Sequence, residues 1–173
     1  MEKINATLLS KSVTSNSKEA FDLFEKSRFG EKLHEKILYS LHESFFLIQE
    51  NKMQIQDSKG KILEEKELTK KFAKIDKNFF QKYLVFKDLR KKGYVVKTAL
   101  KYGAEFRVYE KGKKIGSSHS KWICFPVSEN QTMTWQDFSS KNRVAHSTKK
   151  SLLIAIVDDE GSVSYYEVRW TRT

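Results

Sequence analysis

The run Leu152-Leu-Ile-Ala-Ile-Val157 most narrows the folds open to this chain. It has the length of a strand and falls far short of the roughly 20 apolar residues of a membrane span. Neither face of such a strand tolerates water. It must lie inside a sheet, with strands on both sides and packed layers above and below. Helical patterns supply those layers. Phe79, Phe80, Tyr83, Leu84, Phe86 and Leu89 make an amphipathic helix ending near Lys92-Gly93, and Thr134 opens a short helix carrying Trp135 and Phe138. Thr134 and Asp137 have capping-box spacing, with Asp in place of Glu. Shorter strands are expected at Tyr94–Lys97, Glu105–Tyr109 and Lys121–Phe125, with Gly103, Gly112 and Gly116 in the turns between them. Asp158-Asp-Glu-Gly161 is an acidic turn, and Val163–Trp170 pairs back as the last strand.

The first 80 residues read differently. A helix over Glu19–Arg28 is expected to stop at Gly30. A longer helix is expected over Glu31–Gln49, with Leu33, Ile37, Leu38, Leu41, Phe45 and Ile48 on one face. Met53 and Ile55 alternate with polar residues as in an edge strand. Asp57–Gly60 is a turn, Lys61–Lys74 a charged helix, and Asp76–Asn78 a break. The fold class is α/β (α+β): a small helix-rich N-terminal domain over residues 1–78 and a C-terminal mixed-sheet domain over residues 79–173, flanked by helices.

Charge separates these parts. The net charge is +11, and residues 81–150 carry all of that excess, with 16 basic residues against 5 acidic. A basic stretch poor in acids points to a polyanionic partner. The start MEKINATLL lacks a signal-peptide layout, so a soluble cytoplasmic protein is expected.

Metal and cofactor motifs are lacking. The single cysteine, Cys124, excludes an internal disulfide and a multi-cysteine zinc site. The four histidines, His34, His42, His119 and His146, form no HExxH pattern, and there is no GxxxxGK[ST], GxGxxG or GxSxG motif. A metal-dependent nuclease would draw on Glu105 and Asp88, but the strand reads Glu105-Phe-Arg107 rather than Glu-x-Lys, and few acids stand nearby to hold magnesium. The expectation is no metal and no cofactor. What remains is basic and aromatic: Tyr109 at a strand end, His119 ten residues on, and Lys149 and Lys150 at the mouth of the apolar strand. Metal-free RNA cleavage needs a base for the 2′-hydroxyl, an acid for the departing 5′-oxygen and a cation for the charge on phosphorus, and these residue types can fill those roles.

The stretch YLVFKDLRKKGYVVKTALKYGAEFRVYEKG, residues 83–112, resembles the C-terminal domain of archaeal tRNA-intron (splicing) endonucleases. So do the later residues His119, Arg143–Ser147, Lys149-Lys150, Leu152–Asp158 and Tyr165-Tyr166, in the same order. Residues 79–173 carry the likeness strongly. The N-terminal part carries it more loosely, through Phe29-Gly30 and the amphipathic helix expected after them.

The resemblance implies an endoribonuclease that removes introns from precursor tRNA at a bulge–helix–bulge, without metal, leaving 2′,3′-cyclic phosphate and 5′-hydroxyl ends. It implies Tyr109 as general base, His119 as general acid and Lys150 as the stabilising cation, with Lys150 favoured over Lys149 by register against the apolar strand. Arg143 and Trp170 are the implied grips on bulged bases. Asp158, Asp159 and Glu160 are the implied assembly loop, entering a basic pocket of another subunit in a homotetramer or a heterotetramer with a related structural subunit. The alternatives are a non-catalytic RNA-binding or structural subunit of the same assembly, and a metal-dependent nuclease.

Overall fold

A computed structural model describes residues 2–112 and 119–171. The expected turn at Gly116 lies outside the described residues. The fold is α+β, with two mixed five-stranded sheets in two compact units, Met1–Phe80 and Gln81–Thr173.

In the first unit the strands are β1 (Ile4–Leu8), β2 (Val13–Ser15), β3 (Glu31–Leu33), β4 (Lys36–Tyr39) and β5 (Met53–Gln56), in spatial order β3-β4-β2-β1-β5. Three helices accompany them: α1 (Lys18–Ser27), α2 (Leu41–Gln49) and α3 (Glu65–Ile75). β5 is the edge strand its alternation predicts, and it runs parallel to β1 with Ile4 opposite Met53.

The expected helix over 31–49 is corrected. Residues 31–39 form the β3–β4 hairpin, which turns at His34 with φ 54°. Only 41–49 is helical, and the reason is local. Ser40 and Glu43 form a reciprocal capping box, which sets the helix start at Leu41. The apolar residues 33, 37, 38 and 41 imitate helical spacing, but Ile37 and Tyr39 are the fully buried positions of a strand. Gly30 does not stop α1, which ends earlier with Arg28 in the left-handed region. Gly30 instead has φ 76° and lies so close to β4 that a Cβ there would stand 2.3 Å from Ile37 Cγ2. β1 and β2 were not expected from the sequence. Ile4, Ala6 and Val13 are buried, but too few and too small to announce a strand.

The second unit contains most of α4 (Phe79–Lys91), then β6 (Val95–Thr98), a short 3-10 turn (Leu100–Tyr102), β7 (Phe106–Tyr109), β8 (Trp122–Ser128), α5 (Trp135–Ser147), β9 (Ser151–Val157) and β10 (Val163–Val168). The order is β10-β9-β8-β7-β6. β9, the apolar run, is flanked on both sides as expected, although β8 holds the middle place. β8 and β9 are parallel and the other pairs antiparallel. β8 extends past the expected Phe125, through Pro126 to Ser128. Its pairing with β7 ends at Cys124, so the proline interrupts no ladder on that side. β10 ends at Val168, short of Trp170.

Each face of this sheet has its helix. Against one face lies α4, with Phe86 5.9 Å from the Phe106 ring and the Tyr165 hydroxyl donating to Asp88 Oδ2 at 2.7 Å. The opposite face carries α5, where Ala145 and Phe138 pack over Ile123, Phe125 and Leu152. Among the described residues no helix is long and apolar enough to cross a membrane.

Candidate active site

The strand directions bring three chain segments to one end of the second sheet. β7 finishes where β8 and β9 begin. Two backbone hydrogen bonds tie the three ends together: Lys121 N donates to Val108 O at 2.9 Å, and Ser151 N donates to Lys121 O at 3.0 Å. Tyr109 follows Val108, His119 precedes Lys121 by two residues, and Lys150 precedes Ser151. The sheet therefore brings side by side the segments that bear Tyr109, His119 and Lys150. Tyr109 is largely buried opposite Val95, and His119 is exposed.

The end of α5 separates the two adjacent lysines. Lys149 N donates to His146 O and Lys150 N to Ala145 O, each at 2.9 Å, and Lys149 has φ 57°. This is a Schellman ending with Lys149 in the left-handed place usually given to glycine. The turn leaves Lys149 exposed and sets Lys150 half-buried at the start of β9. Lys150 Nζ donates to Thr148 O at 2.9 Å and lies 5.8 Å from the Tyr102 ring centre.

Beside it opens a groove of about 480 Å³ lined by Lys121, His146, Lys149, Lys150, Ser151, Arg169 and Trp170. Four of these seven side chains are cationic. Lys121 pairs with Glu110 at 2.7 Å and Arg169 with Glu167 at 2.9 Å. Burial works to raise the Glu167 carboxyl, but hydrogen bonds from Arg169 and Ser151 overcome it and hold the group below its ordinary range. Such a surface suits a phosphate backbone.

Of the predicted base-gripping residues, Trp170 lines this groove, while Arg143 is exposed on α5 one turn before His146. The ring against Trp170 is that of His146, with centroids 4.5 Å apart. Lys121, His146 and Arg169 line the groove, and the sequence did not single them out. For His146 the signal was its three-residue spacing from Arg143 on one helix face. Lys121 and Arg169 had no signal beyond charge.

Asp158, Asp159 and Glu160 stand at the far end of β9, away from the groove. Asp158 Oδ1 accepts from Glu160 N at 3.0 Å and Ser162 N at 2.8 Å, which shapes the turn. Asp159 N donates to Glu129 Oε1 at 2.8 Å, and Asn130 Nδ2 donates to Asp159 Oδ1 at 3.0 Å. Asp159 and Glu160 are exposed. The two acids nearest a metal-nuclease pattern both have structural partners: Glu105 pairs with Lys82 at 2.8 Å, and Asp88 with Tyr165 and Lys92. Burial pushes the Cys124 thiol far up, leaving it unsuited to nucleophilic work.

Comparison with known proteins agrees with this architecture. Residues 79–165 match the family model of the tRNA intron endonuclease catalytic C-terminal domain, and residues 4–69 that of the tRNA intron endonuclease N-terminal domain. The chain is 39% identical over 150 residues to the tRNA-splicing endonuclease of Thermococcus gammatolerans, covering 87% of each. It is 40% identical over 152 residues to that of Methanothermobacter thermautotrophicus, covering 87% of this chain and 86% of the relative. With the Methanococcus vannielii tRNA-splicing endonuclease it shares 39% identity over 170 residues, 98% of this chain and 95% of the relative. Matches to both domain models over most of the chain, together with about 39% identity to tRNA-splicing endonucleases across most of its length, make this protein a member of the tRNA intron endonuclease family.

Proposed function

We propose that this chain cuts precursor tRNA at the intron–exon junctions of a bulge–helix–bulge, without a metal ion, leaving 2′,3′-cyclic phosphate and 5′-hydroxyl ends. The observation that carries the reading is the pair of backbone hydrogen bonds joining Val108, Lys121 and Ser151, because it ties together the three segments that bear Tyr109, His119 and Lys150. Tyr109 takes the proton of the 2′-hydroxyl. The freed oxygen attacks the adjacent phosphorus, and the bond to the 5′-oxygen breaks. His119 protonates that leaving oxygen. The Lys150 ammonium exchanges the Thr148 carbonyl for a phosphoryl oxygen as negative charge grows there. The attacking 2′-hydroxyl restricts the reaction to RNA. The engagement of Glu105 and Asp88 in ion pairs and hydrogen bonds supports a route through side chains rather than a metal.

Arg143 and Trp170 hold bulged bases near the cut. The acidic turn Asp158–Glu160, at the opposite sheet end, meets the basic surface of another subunit in a homotetramer or heterotetramer. The place of work is the cytoplasm.

Purified chain is incubated in EDTA with a precursor tRNA carrying the bulge–helix–bulge, and the product ends are analysed, with His119→Ala as control. Paired cuts with cyclic-phosphate ends, abolished by the substitution, are expected. Cleavage that returns only with added magnesium sinks the mechanism.

A further inference from the structure

The most exposed large apolar side chain among the described residues is not in the groove. It is Trp135, the first residue of α5, at 84% relative exposure. A single exposed apolar side chain is ordinary by itself, and what sets this indole apart is that it is both exposed and fixed. Its ring is held rather than loose: it meets Phe138 edge-on with centroids 5.9 Å apart, and Phe138 packs on the core beneath α5. The Thr134–Asp137 capping box fixes the helix start on which it stands.

Trp135, Ser139, Asn142 and His146 succeed one another at spacings of four, three and four residues, so they form one stripe along the helix. The far end of that stripe is the His146–Trp170 ring pair in the groove. Eleven residues at 1.5 Å rise separate the ends by about 16 Å. Cations flank the stripe rather than lying on it: α5 carries Lys141 and Arg143 on its other faces, Lys149 and Lys150 follow its end, and the one acid between Thr134 and Lys150, Asp137, is consumed in capping Thr134. Flat rings beside a cationic surface are the pattern of sequence-tolerant RNA contact.

We infer that α5 carries a second RNA contact, a stacking shelf at Trp135 for an unpaired base of the substrate, about 16 Å along the helix from the groove. It rests on the endonuclease reading of that groove, and it adds affinity without taking part in bond breaking.

The test uses the full chain and a precursor tRNA whose 2′-hydroxyls at the cut sites are replaced by hydrogen, so that it binds without being cleaved. Trp135→Ala should raise its Kd about tenfold, and Trp135→Phe should restore most of the affinity. The cleavage rate of ordinary precursor at saturating enzyme should stay as in the wild type. Abasic substitutions along the RNA should reveal one position where Trp135→Ala has no further effect. An unchanged Kd overturns the inference, as does the lack of any such abasic position. So does a change in assembly mass for Trp135→Ala, since that would assign the face to contact between protein subunits. A wild-type chain that neither binds nor cuts the precursor would instead bring down the endonuclease reading itself, whereas normal wild-type cleavage with an indifferent Trp135→Ala removes only the shelf.

Discussion

Lys149 and Lys150 are neighbours in sequence and differ in every physical respect that matters, so replacing each in turn tests the site directly. Lys150 is half-buried at the start of β9, with its ammonium on the Thr148 carbonyl. Replacing it with alanine removes one side-chain-to-backbone hydrogen bond, worth about 0.5–1.5 kcal/mol of stability. On the proposed mechanism the same change also removes the cation that meets the transition-state charge, and losses of that kind run to about 10²–10³ in rate, or roughly 2.7–4 kcal/mol. Lys149 is exposed and holds φ 57°. A left-handed backbone costs an ordinary residue about 1–2 kcal/mol, so Lys149→Gly should stabilise the protein by about 1 kcal/mol. It should leave the rate at saturating enzyme little changed and lower the salt slope of RNA binding by about one. Urea denaturation reads the stabilities, and single-turnover cleavage of precursor tRNA reads the rates. If Lys149→Gly abolished cleavage while Lys150→Ala cut normally, the separation of roles by the Schellman turn would be wrong.

Gly30→Ala should destabilise the protein by about 2–5 kcal/mol, the combined effect of a left-handed alanine and overpacking, because its Cβ would press on the buried Ile37 at 2.3 Å; thermal denaturation checks it, and a neutral result would refute the close approach. At the start of α5, hydrogen bonds from the Thr134 side chain and backbone hold the Asp137 carboxyl below its ordinary value of 3.8. A depressed folded value stabilises above the unfolded one, so this contribution should be present above about pH 3.8 and fade as pH falls further. The stability difference between wild type and Asp137→Asn should accordingly shrink as pH is lowered through that range.

How much of this was legible in the sequence depended on whether a segment carried its own signal. The run Leu152–Val157 could only be an interior strand, and Thr134 with Asp137 could only begin a helix, so β9 and α5 were readable. Residues 31–39 were not. Their apolar spacing satisfies a helix as well as a strand, and the choice is made by a contact that spans the whole segment: Gly30 N donates to Glu43 Oε1 at 2.9 Å while the same carboxylate caps α2. β1 depends on pairing with β5, some fifty residues away, which no local pattern encodes.

The candidate site divides along the same line. Tyr109, His119 and Lys150 were singled out by residue type, spacing and family likeness, yet nothing local says that the segments bearing them adjoin. That adjacency comes from strand direction. Because β7 runs against β8 and β8 runs with β9, the end of the first strand lies beside the starts of the other two. That same geometry sends the β9–β10 turn, with Asp158, Asp159 and Glu160, to the opposite end of the sheet. Within this unit the acidic turn and the basic groove are held apart by the length of β9, seven residues at about 3.3 Å each. On the proposed reading the turn meets the basic surface of a second subunit, so charge reversal at Asp159 and Glu160 should lower the assembly mass measured by sedimentation. A mass unchanged by that reversal would mean that the turn is only a turn.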